Sequence, residues 1–63
     1  MVKIPAKVFE TLEEIRESGA INMLDYYGVQ RIAYDIGRHD TVVWLQDNKK
    51  LYIGGVFEGF EVE

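Results

Sequence analysis

Val29, Ile32, Ala33 and Ile36 fall at i, i+3, i+4 and i+7, the spacing that lays one apolar stripe along a helix. No other pattern in the 63-residue chain limits its folding so tightly. It predicts a helix over about Asp25 to Ile36, capped by Asn22 or Asp25 and stopped by Gly37. A helix with one greasy side must bury that side against something, and a second stripe lies upstream. Val8, Phe9, Leu12 and Ile15 predict a first helix that begins at Pro5, whose missing N–H costs nothing at a first helical position. Glu10, Glu13, Glu14 and Glu17 recur on its opposite side, and Gly19 is placed for a left-handed cap. Thr11 with Glu14 also matches a capping box, which leaves a start at residue 11 open. Between the two helices, Ile21, Met23 and Leu24 are expected to pack inward.

The C-terminal third reads two ways. Asp40 can cap a helix that starts at Thr41 and runs through Val42, Leu45, Leu51, Tyr52 and Val56. Yet Thr41-Val42-Val43-Trp44-Leu45 and Leu51-Tyr52-Ile53 are β-branched and aromatic, and Gln46-Asp47-Asn48-Lys49-Lys50 suits a hairpin loop. Gly54-Gly55 weakens a helix by roughly 2 kcal/mol relative to two alanines. Local propensity alone favours the hairpin over residues 41–55.

A resemblance favours the helix. Ile15-Arg16 with Gly19, Asn22-Met23, Val29-Gln30-Arg31-Ile32-Ala33, Gly37, and Asn48-Lys49-Lys50 followed by Tyr52 are similar to a family of short phage and prophage proteins, a domain of unknown function. The likeness runs from Ile15 to about Phe57, and its most specific pieces are Asn-Met and Val-Gln-Arg-Ile-Ala. It implies a helix over the stretch matching 41–57 and a phage or mobile-element setting, without an activity or catalytic residues. The expected fold is therefore mainly α, a compact three-helix domain spanning residues 1–63. The alternative is α+β, with two helices packed on a C-terminal β-hairpin.

Composition removes several classes of function. Seven Lys and Arg against eleven Asp and Glu give a net charge of −4, the wrong sign for wrapping nucleic acid or adsorbing to anionic lipid. No apolar run approaches the ~18–20 residues that span a bilayer, and Met1-Val2-Lys3-Ile4-Pro5 does not read as a secretory leader. With no Cys there is no thiolate site or disulfide, and a single His argues against a metal centre. Eight aromatics and seventeen Val, Ile and Leu residues are too many for a disordered chain. A soluble protein of the cytoplasm, the host's if phage-encoded, is expected, with no cofactor and no membrane partner.

Candidate functional residues fall into three sets. Tyr26, Tyr27, Tyr34, Trp44, Tyr52, Phe57 and Phe60 are more rings than three short helices can enclose. Aromatics anchor interfaces because they bury much area with few rotors, so Tyr26, Tyr27, Tyr34, Trp44, Tyr52 and Phe60 are expected to contribute a protein-docking surface; the alternative is that they staple a thin core while their hydroxyls reach water. Glu10, Glu13, Glu14 and Glu17 space carboxylates ~6 Å apart, a row able to imitate phosphates in a basic groove, although any amphipathic helix also needs a charged outer face. The alternating tail Val56–Glu63 can add an edge strand to a partner or fray.

The third set is a helix-turn-helix, Ile32-Ala33, Gly37 and Thr41 to Leu45. Its register falters, because Arg38 follows the turn glycine and the next buried position falls on Gln46. His39 beside Asp40 can be drawn as an acid–base pair, yet sequence neighbours seldom face each other, and no nucleophile elbow or phosphate loop is present. The expected function is a non-enzymatic phage accessory that binds and inhibits a host or phage protein, as an anti-defence, anti-CRISPR-like inhibitor would. A homodimer is a further possibility, nucleic acid an unfavoured partner, and a small DNA-binding regulator the alternative.

Overall fold

A computed structural model describes residues 1–63. Its elements run β1 (Val2–Ile4), α1 (Ala6–Ser18), α2 (Tyr26–Asp35), α3 (His39–Asp47), α4 (Lys49–Glu58) and β2 (Phe60–Val62). The fold is mainly α, with a small two-stranded parallel sheet.

The first two helices form where their stripes require. Pro5 takes the cap position of α1, one residue outside the predicted start, and the helix begins well before Thr11. Thr11 instead donates its hydroxyl to the Lys7 carbonyl. Gly19 turns left-handed at φ 66° and donates its N–H to the Arg16 carbonyl, closing α1. At the start of α2 the Asp25 carboxylate accepts the Gly28 N–H at 3.0 Å, satisfying a donor that the helix leaves orphaned. Val8, Leu12 and Ile15 of α1 and Val29 and Ala33 of α2 are buried together. Ile21 and Met23 pack against this core, whereas Leu24 is exposed, contrary to its expected inward packing.

The hairpin alternative over 41–55 does not form, and the single third helix is two. Asn48 separates them: its backbone leaves the helical region at φ −133°, and its side chain donates to the Trp44 carbonyl at 3.0 Å. The Asn48 carbonyl then accepts the Tyr52 N–H to start α4. Helix wins because Thr41 with Leu45, and Tyr52 with Gly55, share inward faces at i, i+4 and i, i+3. The propensity cost of β-branched residues is a few tenths of a kcal/mol each, less than burying Leu45 and Tyr52 returns.

The tail alternation is satisfied within the chain. Val2, Lys3 and Ile4 pair with Phe60, Glu61 and Val62 in parallel register, and the Glu63 N–H donates to the Ile4 carbonyl at 3.0 Å. Ile4 reaches the core from β1, and Phe60 packs on it from β2. Gly55 is required here, since a Cβ at that position would overlap the Phe60 ring.

Candidate functional site

Helical phase sorts the aromatic residues. Tyr26 and Tyr27 are neighbours in sequence, but ~100° of rotation separates them on α2. Tyr26 turns inward and donates its hydroxyl to the Leu45 carbonyl at 2.5 Å, while Tyr27 is 69% exposed. Tyr52 is 0% exposed, donates to the Met23 carbonyl at 2.5 Å, and stacks on Phe60 with centroids 5.8 Å apart. Burial, reinforced by the Asp25 carboxylate, pushes the Tyr52 hydroxyl up to about 12. Tyr26 and Tyr52 are thus core rings rather than displayed ones. Their hydroxyls satisfy carbonyls in a loop and at a helix end, a role that residue type alone could not separate from docking. Trp44 and Phe60 are half-buried against the same core.

The rings left outside are Tyr27, Tyr34 and Phe57. Tyr27 and Tyr34 stand two turns apart on α2 with Arg31 between them, beside a shallow groove of about 450 Å³ that reaches Val42 and Gln46 of α3. The Lys49 ammonium lies 5.0 Å from the Tyr27 ring centroid and 3.4 Å from its hydroxyl. The His39 ring meets Tyr34 edge-on at 5.6 Å. Arg31 pairs with Asp35 at 3.6 Å, so the unpaired ammonium at this face is that of Lys49. Two exposed rings, a guanidinium and an ammonium form a compact, polar-edged aromatic face.

The acidic stripe is partly neutralised. Glu13 pairs with Arg16 at 2.5 Å, which raises the Arg16 guanidinium further above its usual value. Glu14 pairs with Arg38 at 3.2 Å across to the α2–α3 turn. Glu10 and Glu17 have no ion-pair partner within the chain. A row whose two middle charges are answered by cations imitates a phosphate backbone poorly.

α2 and α3 do follow one another through a short turn, with Gly37 at φ 79°. The exposed side of α3 presents His39, Asp40, Val43, Gln46 and Asp47, with no Lys or Arg. Arg38 is held on α1, and Lys50 lies on α4, so the cations do not gather on one groove-reading face. His39 and Asp40 share no hydrogen bond; the Asp40 carboxylate accepts the Thr41 N–H. No three His, Asp or Glu side chains converge where a metal ion would sit.

Two surface features escaped the sequence reading. One is a cleft of about 480 Å³ between α1, α4 and the sheet, floored by Phe9, Leu12, Met23 and Phe60 and edged by Glu13 and Arg16. The other is the outer side of α4, where Leu51 and Phe57 are exposed. Reading residues 49–57 as half of a hairpin or the tail of one helix hid both.

No curated protein and no solved structure matches the chain. A family described as a domain of unknown function, DUF5049, matches residues 5–59, from the cap of α1 through the residue that closes α4. That span takes in every helix of the fold, and the chain belongs to the DUF5049 family.

Proposed function

We propose that the protein is a non-enzymatic binding module that docks on another protein through the Tyr27–Arg31–Tyr34 face of α2 and inhibits it. The observation that supports this most directly is the exposure of Tyr27 and Tyr34, 69% and 60%, on one helix face around a guanidinium. Tyr and Arg are the residue types that concentrate binding energy at interfaces, and neither ring is needed to close the core. The likeness of residues 15–57 to phage and prophage proteins supports a mobile-element setting, with a host protein as the target and anti-defence inhibition as one form of the activity.

The test is affinity capture from host lysate with the wild-type chain and with a Tyr27→Ala/Tyr34→Ala variant, followed by assay of the captured protein. A single protein is expected to bind wild type stoichiometrically, lose activity on binding, and bind the variant at least ~30-fold more weakly, as removal of a hot spot of ~2 kcal/mol requires. Failure to retain any specific protein, or equal retention by the variant, overturns the proposal. Steeply salt-dependent duplex binding would favour the DNA-binding regulator instead, against a third helix without a cation.

A further inference from the structure

We propose that the outer face of α4 is a self-association surface, on which a second copy of the chain packs antiparallel across a two-fold axis at Gly54. α4 is apolar nearly all round, an arrangement normal for a helix covered on both sides. Tyr52 and Gly55 face the core, and Ile53 and Val56 pack against it. On the other side Phe57 is 74% and Leu51 50% exposed.

Gly54 lies at the centre of that outer side. A mid-helix glycine is unfavourable, and nothing within the chain requires this one: a Cβ there would meet only the Glu58 Oε2, at 3.8 Å. Its neighbour Gly55 is explained by the Phe60 ring; Gly54 has no such internal reason. The absence of a side chain does, however, let a second backbone approach closely.

The residues around Gly54 are arranged to match their own reverse. Leu51 and Phe57 lie three residues to either side of it, and Lys50 and Glu58 four to either side. At 100° per residue all five fall within one ~120° arc. A two-fold axis through Gly54 therefore sets Leu51 against Phe57 of the second copy, and Lys50 against its Glu58. Neither Lys50 nor Glu58 is ion-paired within the chain.

The helix dipole points to the same partner. Lys49 and Lys50 sit at the positive N-terminus of α4 and Glu58 at its negative C-terminus, so each charge opposes its own helix. Beside an antiparallel copy, each Lys50 meets a negative helix end and each Glu58 a positive one. Interfaces with two-fold symmetry must be self-complementary in this way. Ten residues extend only ~15 Å, so the surface such a contact buries falls short of the ~1,200–2,000 Å² of a stable complex, and the dimer is a reversible one.

Sedimentation equilibrium of the full chain from about 10 μM to about 1 mM tests this, because that range brackets the weak association such an area gives. Wild type is expected to pass from one chain to two as concentration rises. Lys50→Glu and Glu58→Lys, each alone, place like charges opposite each other and should weaken association at least ~tenfold. The Lys50→Glu/Glu58→Lys double variant should recover it, and an equimolar mixture of the two single variants should form a mixed dimer. Gly54→Leu should abolish the dimer while circular dichroism shows undiminished helix. A wild-type chain that stays single up to about 1 mM, single reversals that associate like wild type, or a double variant that stays single overturns the proposal.

Discussion

Tyr52→Phe removes one oxygen from the centre of the molecule, and its consequences can be worked through at two pH values. Near pH 7 the change deletes the hydroxyl that donates to the Met23 carbonyl at 2.5 Å and leaves the ring stacked on Phe60 in place. An acceptor deprived of its donor in a half-buried setting costs about 1–2 kcal/mol. For a domain this small that corresponds to a melting temperature lower by roughly 5–15 °C. Alkaline pH narrows the difference. Burial and the Asp25 carboxylate hold the folded-state Tyr52 hydroxyl protonated to about 12, against 10.0 for an unperturbed tyrosine. Because the folded value is the higher one, the stabilisation is complete below pH 10 and is lost as pH rises from 10 towards 12. Two units are worth at most about 2.7 kcal/mol. The shell over Tyr52 is thin in a molecule only 18 Å across its short axis, so solvent screening reduces that to about 1–2 kcal/mol. Phenylalanine has no proton to lose. Urea melts followed by far-UV circular dichroism at pH 7, 9, 10.5 and 11.5 should therefore show wild type ahead at the first two and the gap closing at the last two. A gap that is constant with pH refutes the burial argument, and equal stability at pH 7 refutes the role of the Met23 contact.

Further consequences concern residues that the fold uses or leaves unsatisfied. Thr41 is buried and its hydroxyl has no hydrogen-bond partner, so Thr41→Val should raise stability by about 1 kcal/mol in a denaturant melt; destabilisation would show that the hydroxyl is satisfied after all. Gly54→Ala, measured in dilute solution, should stabilise by about 1 kcal/mol through helix propensity. Gly55→Ala should destabilise by about 1–3 kcal/mol because the new methyl group displaces the Phe60 ring. Melts that shift in the same direction for both glycines would contradict that division of roles.

What could be read in the residue pattern, and what could not, follows from range. α1 and α2 were legible to within a residue or two because their stripes, Gly19 and the Asp25 cap are local features. The division of 41–58 at Asn48 was not, because it depends on Leu45 and Tyr52 being drawn into one core from both sides of the break. The alternation around Phe60–Val62 marks a strand, but its partner Val2–Ile4 is three residues long and more than fifty residues away, too short to signal and too distant to pair by pattern. Among the candidate docking residues, Tyr27 and Tyr34 stand outside as read, while Tyr26 and Tyr52 are inside. Telling Tyr26 from Tyr27 needs the phase of α2 against its neighbours, and the stripe from Val29 carried back by one turn supplies it: Tyr26 lies at i−3 from Val29.

Closure of the terminal strands also bears on how the chain can meet other molecules. β1 and β2 use one edge each on the other, and the edges that remain are three residues long. So little ladder offers few main-chain hydrogen bonds to an added strand, which shifts recognition to the helix faces. The two helix faces differ in one property that decides their partners. On α4 an uncompensated cation and an uncompensated anion lie at equal distances from a central glycine, so the face can satisfy itself. On α2 the Arg31 charge is answered by Asp35, and Lys49 beside Tyr27 remains the unanswered one. Two copies meeting through that face would oppose like charges, so the docking proposed for it requires a different protein, one that sets a carboxylate against Lys49 and apolar or amide groups against the two rings.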